Sequence, residues 1–384
     1  MYSISSFGDM IADETRTDAY VAALQRAIVP GESTVLDIGT GTGIFALLAY
    51  RFGAKHIYAL EPGEAIFVAR QLAKENGCED RITFIQDIST RISLPQPVDV
   101  IISDLHGVLP YFQQHIPSIV DARQRLLAPG GVLIPQKDTI NATVVSAPEQ
   151  YEEAYVKPWV GNKYDLKMQA ARRVVTNQWD RGKVEPSQFL TEPQVWATLD
   201  YTTISETDIS AKVSWTLQQE GLAHGLSLWF DTQVGEVLYV SNAPGLPPHV
   251  YGNAFFPWSD PVALLAGDEV QASIQANLIG EDYVWRWNTQ VLSQGDPKRI
   301  KASFKQSTFF SSLLSPAQIA KTTASYAPSL TDEGQIDGYV LRQMDGSRTL
   351  GEIADLLMLA FPSQFPTRNN ALGKVGKLSQ KYGR

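Results

Sequence analysis

The sequence predicts an α/β domain first, an antiparallel β domain after it, and a small separate unit at the end. Three observations carry this. Over residues 1–135, apolar strand-like runs alternate with helical patterns, which is the mark of a doubly wound, mostly parallel sheet. Over 136–310, many short strand-like runs are punctuated by Gly and Pro, as in an antiparallel β-barrel or sandwich. A mixed connector, 311–328, then leads to a last stretch, 329–384, with its own strand, turn and helix signals.

In the first domain the expected strands are Thr34–Ile38, His56–Leu60, Ile82–Gln86, Val98–Ser103 and Val132–Ile134. Helical patterns lie between them, for example Gly63–Asn76 and Pro117–Leu127. The second domain is expected to include strands at Thr139–Val145, Asp208–Leu217, Gly225–Phe230, Glu269–Ile279 and Tyr283–Val291. Tyr151–Leu190 breaks that rhythm and reads as an inserted helical arm, about 151–190. In the last unit, Gly338–Gln343 reads as a strand and Asp345-Gly346 as a turn. Thr349–Phe361 reads as an amphipathic helix, and a basic helix closes the chain.

Composition removes several function classes. With 384 residues the chain is too long for one ordinary core and suits two or three domains. No apolar run reaches the roughly 18 residues that span a bilayer. Met1 is followed by a polar stretch, without a signal-peptide pattern. The lone cysteine, Cys78, excludes an intrachain disulfide framework and a cysteine zinc cluster. A cytoplasmic protein without membrane association is therefore expected. The net charge of −9 disfavours nucleic acid as a partner, and no two histidines have metal-ligand spacing.

The most informative stretch is VLDIGTGTGIFALLA, from Val35 to Ala49. Asp37 lies near the end of a strand-like run, and Gly39, Gly41 and Gly43 follow at alternate positions before a helical run. Small residues at a helix N-terminus let a ligand approach the backbone. The spacing D-x-G-x-G-x-G is not the dinucleotide pattern G-x-G-x-x-G, and no G-K-[ST] follows to make a P-loop. Glu61 ends the next strand, where a carboxylate can accept hydrogen bonds from a ribose diol. These features together imply a nucleoside without a pyrophosphate. S-adenosyl-L-methionine, with S-adenosyl-L-homocysteine as product, fits a Rossmann-like domain of this kind.

Further segments extend this reading. DMIADETRTDAY (Asp9–Tyr20), LPQPVDVIISD (Leu94–Asp104), SDLHG (Ser103–Gly107), HGLSLWFD (His224–Asp231) and APGLPPHVYGNAFF (Ala243–Phe256) resemble, in order, the protein arginine methyltransferase family. The resemblance runs from Met1 to about Phe310 and implies a methyltransferase that forms a homodimer through its arm. It implies that Arg16 pairs with the cofactor carboxylate, that Met10 packs near its sulfur, and that Ile88 and Ser89 lie beside its adenine.

The resemblance also exposes departures. The two clamp glutamates of the family fall on Asp104 and Gln113, and its Thr-His-Trp loop on Pro248-His249-Val250. The family's tyrosine-rich N-terminal motif is nearly absent. A guanidinium leaving water needs compensating charge, and Asp104 with a neutral Gln113 supplies half of what two carboxylates would. The Gln113 amide can donate to a carbonyl and accept from an N–H. Asp104 is expected to orient the acceptor N–H and help remove its proton, with His249 assisting or relaying. These residues point to a neutral nitrogen such as an asparagine amide. A guanidine acceptor and an inactive peptide-binding scaffold are the alternatives. No motif gives His106 a role.

The segment DEGQIDGYVLRQMDGSRTLGEIADLLMLAF (Asp332–Phe361) resembles the PqqD-like recognition element, a small winged-helix unit. The resemblance implies binding of the leader of a ribosomally made precursor peptide as an added strand, as for proteusin asparagine N-methyltransferases. Arg368, Lys374, Lys377, Lys381 and Arg384, with no acid between them, are expected to attract an acidic leader. A leader held by a tethered unit would raise the local concentration of the segment to be modified.

Overall fold

The computed structural model describes residues 3–161, 163–247, 249–313 and 315–383. The chain forms two compact units, Met1–Ser312 and Leu313–Arg384. Among the described residues no helix is long and apolar enough to cross a membrane.

The first unit opens with α1 (Ile4–Ala12) and α2 (Glu14–Ala27), the latter capped by the Asp13 carboxylate on Arg16 N. The alternating patterns then become β1 (Thr34–Ile38), α3 (Ile44–Arg51), β2 (His56–Leu60), α4 (Ala65–Glu75), β3 (Ile82–Ile85), β4 (Val98–Ser103), α5 (His115–Arg125) and β5 (Leu127–Ile134). The strands pair in parallel in the order β3-β2-β1-β4-β5. Their near-continuous apolar runs suit a sheet covered on both faces. The order reverses between β1 and β4, and such a switch point leaves a crevice at the strand carboxyl ends.

The antiparallel part contains β6 (Lys137–Val145), the short helices α6 (Pro148–Tyr151) and α7 (Gln169–Val175), β7 (Asp180–Gly182), β8 (Gln194–Asp200) and β9 (Ile209–Thr216). It continues with β10 (Gly221–Gly235), β11 (Leu238–Ser241), β12 (Asn253–Leu264), β13 (Glu269–Ile279), β14 (Asp282–Ser293) and β15 (Asp296–Ser307). One sheet runs β7-β12-β10-β6-β8, with β11 on β10, and the other runs β15-β14-β13-β9. The change of architecture expected near residue 135 is present, but it is not a break in packing. Leu36, Ile101 and Ile116 of the parallel part share one apolar core with Ile140, Leu199 and Trp285 of the antiparallel part.

The second unit contains α8 (Pro316–Ala320), α9 (Asp332–Gln343), α10 (Leu350–Ala360) and α11 (Arg368–Tyr382). Ile336, Val340, Ile353, Leu357, Val375 and Leu378 fill its core. The strand expected at Gly338–Gln343 is instead the second half of α9. Thr331 caps that helix on Gly334 N, and Ile336 and Val340, four apart, fall on one buried face. Asp345-Gly346 does turn, with Gly346 at φ +83°, and Thr349 and Glu352 form a capping box on α10. The described residues of this unit therefore form helices only, without the sheet a winged-helix unit needs for strand addition. The basic stripe of α11 is partly neutralised from within. Arg368 pairs with Asp355 (2.7 Å), and Lys374 with Asp337 (2.6 Å) and Glu333 (3.1 Å). Arg384 lies outside the described residues.

Candidate functional site

A cavity of about 820 Å³ opens at the carboxyl ends of β1, β2 and β4, at the switch point. Ile38 and Gly39 follow from β1, Leu60 and Glu61 from β2, and Asp104 and Leu105 from β4. Met10 and Arg16 reach it from the N-terminal helices, and Ile88, Ser89 and Gln113 from loops.

The three glycines all take left-handed backbone conformations. At Gly41 (φ +55°) a Cβ would lie 2.4 Å from the Phe7 ring, so the absence of a side chain lets α1 close over the loop. Gly39 lines the cavity, whereas Gly41, Gly43 and Asp37 do not. Asp37 supports the loop from behind, accepting a hydrogen bond from Thr40 Oγ1 at 2.5 Å. Burial pushes its carboxyl up to about 7, against that bond. Glu61 accepts the N–H of Gly41 on Oε2 (3.1 Å) and of Gly63 on Oε1 (2.7 Å), which fixes a carboxylate at the rim.

Asp104 is the charged centre of the opposite wall. Its Oδ2 accepts Arg16 Nε at 2.5 Å and also pairs with Arg16 Nη2. Tyr251 Oη donates to both carboxylate oxygens at 2.6 Å. Oδ1 also accepts His106 Nδ1 at 2.9 Å. On its far side His106 Nε2 donates to Asp138 Oδ2 at 2.8 Å, and Asp138 in turn accepts the Tyr201 hydroxyl. Burial alone would raise the Asp104 pKa, but the Arg16 guanidinium and then His106 outweigh it and hold the carboxyl far below the usual range. A carboxylate held so low is a poor proton acceptor. Of the two roles expected of Asp104, orienting the acceptor N–H and helping to remove its proton, a low pKa favours the first.

His249 does not assist Asp104 directly. Its Nδ1 donates to Asp13 Oδ2 at 3.1 Å, and the same oxygen accepts Val250 N at 3.0 Å. Asp13 thus ties the barrel loop to the start of α2 and brings in Tyr251, whose ring stacks on His249 with centroids 6.5 Å apart. Pro248 lies outside the described residues. Gln113 lines the cavity at φ +43°, a conformation that non-glycine residues seldom adopt. His115 Nδ1 donates to Pro110 O at 3.2 Å, so its Nε2 carries a bare lone pair. Burial and then the charge of His106 push His115 down to about 3, leaving it neutral.

Sequence reasoning missed Asp13, His106, Asp138 and Tyr251. His106 carried the only local signal, two residues after Asp104. The others reach the site from up to 236 residues away.

The site suits S-adenosylmethionine. A side-chain-free residue lines the crevice at Gly39, a fixed carboxylate sits at a strand end as a partner for a diol, and the buried Arg16 guanidinium, paired with Asp104, lines the same crevice. Residues 13–162 match the family described as ribosomal protein L11 methyltransferase (PrmA), and residues 136–294 match the arginine methyltransferase oligomerization subdomain. Protein arginine N-methyltransferase 1 of Chlamydomonas reinhardtii is 31% identical over 236 residues, 60% of this chain and 68% of the relative. Protein arginine N-methyltransferase 1.1 of Arabidopsis thaliana is 31% identical over 63% of this chain, and the chain spans 64% of that relative's length. Among solved structures, the Trypanosoma brucei PRMT1 enzyme–prozyme heterotetramer with AdoHcy superposes with a TM-score of 0.70 at 25% identity. That match covers 78% of this chain and 96% of the other. Arabidopsis thaliana protein arginine methyltransferase 10 shares the fold, with a TM-score of 0.69 at 22% identity over 80% of this chain and 98% of its own. With its cofactor crevice and these relatives, the chain belongs to the protein arginine N-methyltransferase family and is an S-adenosylmethionine-dependent methyltransferase.

Proposed function

We propose that this methyltransferase acts on a guanidine nitrogen of an arginine side chain in a peptide or protein. One observation carries the reading: the Asp104 carboxylate already holds a guanidinium side-on, through Nε and Nη2 of Arg16. A carboxylate that binds one guanidinium this way can bind another. The names of the relatives point to the same acceptor.

In this reading Arg16 holds the cofactor carboxylate and Glu61 its ribose diol. Met10 lies near the sulfur, Ile88 and Ser89 flank the adenine, and Gly39 allows close approach. Asp37, Gly41 and Gly43 shape the loop beneath. The cofactor supplies a methyl group on a sulfonium whose charge disappears as the methyl leaves. The residues of the chain align the acceptor nitrogen, exclude water and hold charge beside it. Asp104 orients the acceptor, and His249 fixes the loop that carries Tyr251.

A second reading, transfer to a neutral asparagine amide, is favoured by Gln113. A neutral amide faces the cavity there, and Asp104 is already balanced by Arg16. In that reading the partner is a precursor peptide whose leader docks on the C-terminal unit. We further propose a homodimer assembled through the arm, since the oligomerization-subdomain match spans it.

The test is tandem mass spectrometry after incubation with deuterium-labelled S-adenosylmethionine and two peptides that differ only in one arginine or asparagine. Label on arginine supports the first reading. Label on the asparagine amide alone replaces it with the second. Label on neither, with S-adenosylhomocysteine still bound, removes both and leaves a scaffold.

A further inference from the structure

His106 is fully enclosed, and both its ring nitrogens meet carboxylates, Asp104 Oδ1 at 2.9 Å and Asp138 Oδ2 at 2.8 Å. Ionised carboxylates only accept hydrogen bonds, so both nitrogens must donate and the ring is an imidazolium. We propose that His106 is a positioning residue for methyl transfer. Clamped by Asp138, it pins Oδ1 of Asp104 and so sets the direction of Oδ2, the oxygen that holds the Arg16 guanidinium. This rests on the reading of Asp104 as the acceptor-side carboxylate.

The argument is one of placement and charge. Asp104 sits just beyond β4, and its side chain is short. His106 reaches it from two residues on, Asp138 comes from β6, and Tyr201, just past β8, bonds Asp138 from behind. The chain of contacts runs from the cavity into the barrel core, and Asp138 and Tyr201 do not line the cavity. A buried carboxylate such as Asp138 is costly unless paired, and among the described residues its one cationic partner is His106. Phe230 stacks on the imidazolium with centroids 5.1 Å apart, which favours its charge. Because both nitrogens already carry hydrogens, His106 accepts no proton from the reaction. Its work is to hold Asp104 still and ionised.

The groups facing His106 are Asp104, Asp138, the neutral His115 at its edge, Tyr251 and Phe230, with Arg16 and Tyr201 behind the two carboxylates. Burial lowers the His106 pKa, but Asp138 and then Asp104 outweigh it and raise it to about 9. Positioning should therefore weaken as pH rises through that value.

The first test needs no substrate. In the full chain labelled with 15N-histidine, the His106 ring is identified by the signal lost in His106→Gln. We expect both ring nitrogens to be protonated at pH 7, with titration near 9. A ring neutral at pH 7 overturns the proposal. The second test is the pH profile of kcat for an arginine peptide in Asp138→Asn. We expect kcat to fall about 10- to 100-fold, the scale seen when an outer partner of a site residue is lost. The KM for the cofactor should hold, and the alkaline limb should move to lower pH. A fall without movement of that limb marks a merely structural pair and also overturns it. If Asp138→Asn does not fold, His106→Asn must retain more activity than His106→Leu, since only Asn can still donate to Asp104. If the wild type labels no arginine, the functional reading fails, and the ring titration still decides whether His106 is clamped as an imidazolium.

Discussion

Glu61 shows how one side chain links loop and ligand, because each carboxylate oxygen is fixed by one backbone N–H and keeps a lone pair for a diol. Glu61→Gln would turn an NH₂ group toward one of those N–H donors and remove the charge. Hydrogen bonds to a charged group contribute about 1.5–3 kcal/mol. The dissociation constant for S-adenosylhomocysteine should therefore rise about 10- to 100-fold by calorimetry, and an unchanged constant would remove Glu61 from the cofactor site. Two buried histidines make a second prediction. His106, raised to about 9, keeps in the folded state a proton that the unfolded chain loses above its ordinary value near 6.5. Its stabilisation is full below about 6.5 and is lost as pH rises through 9. His115, lowered to about 3, stays neutral where the unfolded chain takes up a proton. It therefore costs stability as pH falls from about 6.5 toward 3. In urea titrations, the stability of His115→Phe relative to wild type should increase steadily over that acidic window and stay flat above it. A difference independent of pH would show that His115 is not held neutral.

At the scale of elements, β1, its glycine loop and Glu61 were legible because they are local. An apolar run, small residues at a turn and an acid at the next strand end all lie within thirty residues. Arg16 and Asp104 were legible through motifs. The Asp104–His106–Asp138 chain was not, since Asp138 comes from a different sheet and no local pattern links it to the loop. Nor was α9. Tyr339, Val340 and Leu341 beside a glycine read as a strand, yet the spacing of Ile336 and Val340 is helical, and Thr331 starts the helix. Packing among α9, α10 and α11 decided between them. Leu357, fully buried in that core, is the residue to test. Leu357→Ala should destabilise the C-terminal unit by about 2–5 kcal/mol, the usual range for such a truncation. In calorimetry a transition belonging to this unit should move down while the main transition of Met1–Ser312 stays. A shift of both together would show that the two units unfold as one.

At the scale of the whole molecule, the open question is what the arm does. Its base is firmly built into the barrel. Tyr151 Oη donates to Trp258 O at 2.9 Å, Arg172 Nη2 donates to Ser259 O at 2.8 Å, and the Tyr155 hydroxyl donates to Asp180. Its outer part instead exposes large apolar side chains, Val160, Tyr164 and Leu166. Large apolar side chains exposed on an outlying segment suit burial by a second copy. The oligomerization-subdomain match, residues 136–294, contains this segment. Replacing residues 157–168 by a short Gly-Ser linker removes the outer part and keeps Tyr155, Arg172 and Asp180, so the barrel should stay folded. Sedimentation at micromolar concentration should then find twice the chain mass for the wild type and the single chain mass for the variant. A stable interface of this kind buries about 1,200–2,000 Å² in total, and losing it should also make activity fall on dilution in the wild type. A monomeric wild type, or a variant that still dimerises, would assign the arm to the barrel alone and leave its apolar outer part to a different partner.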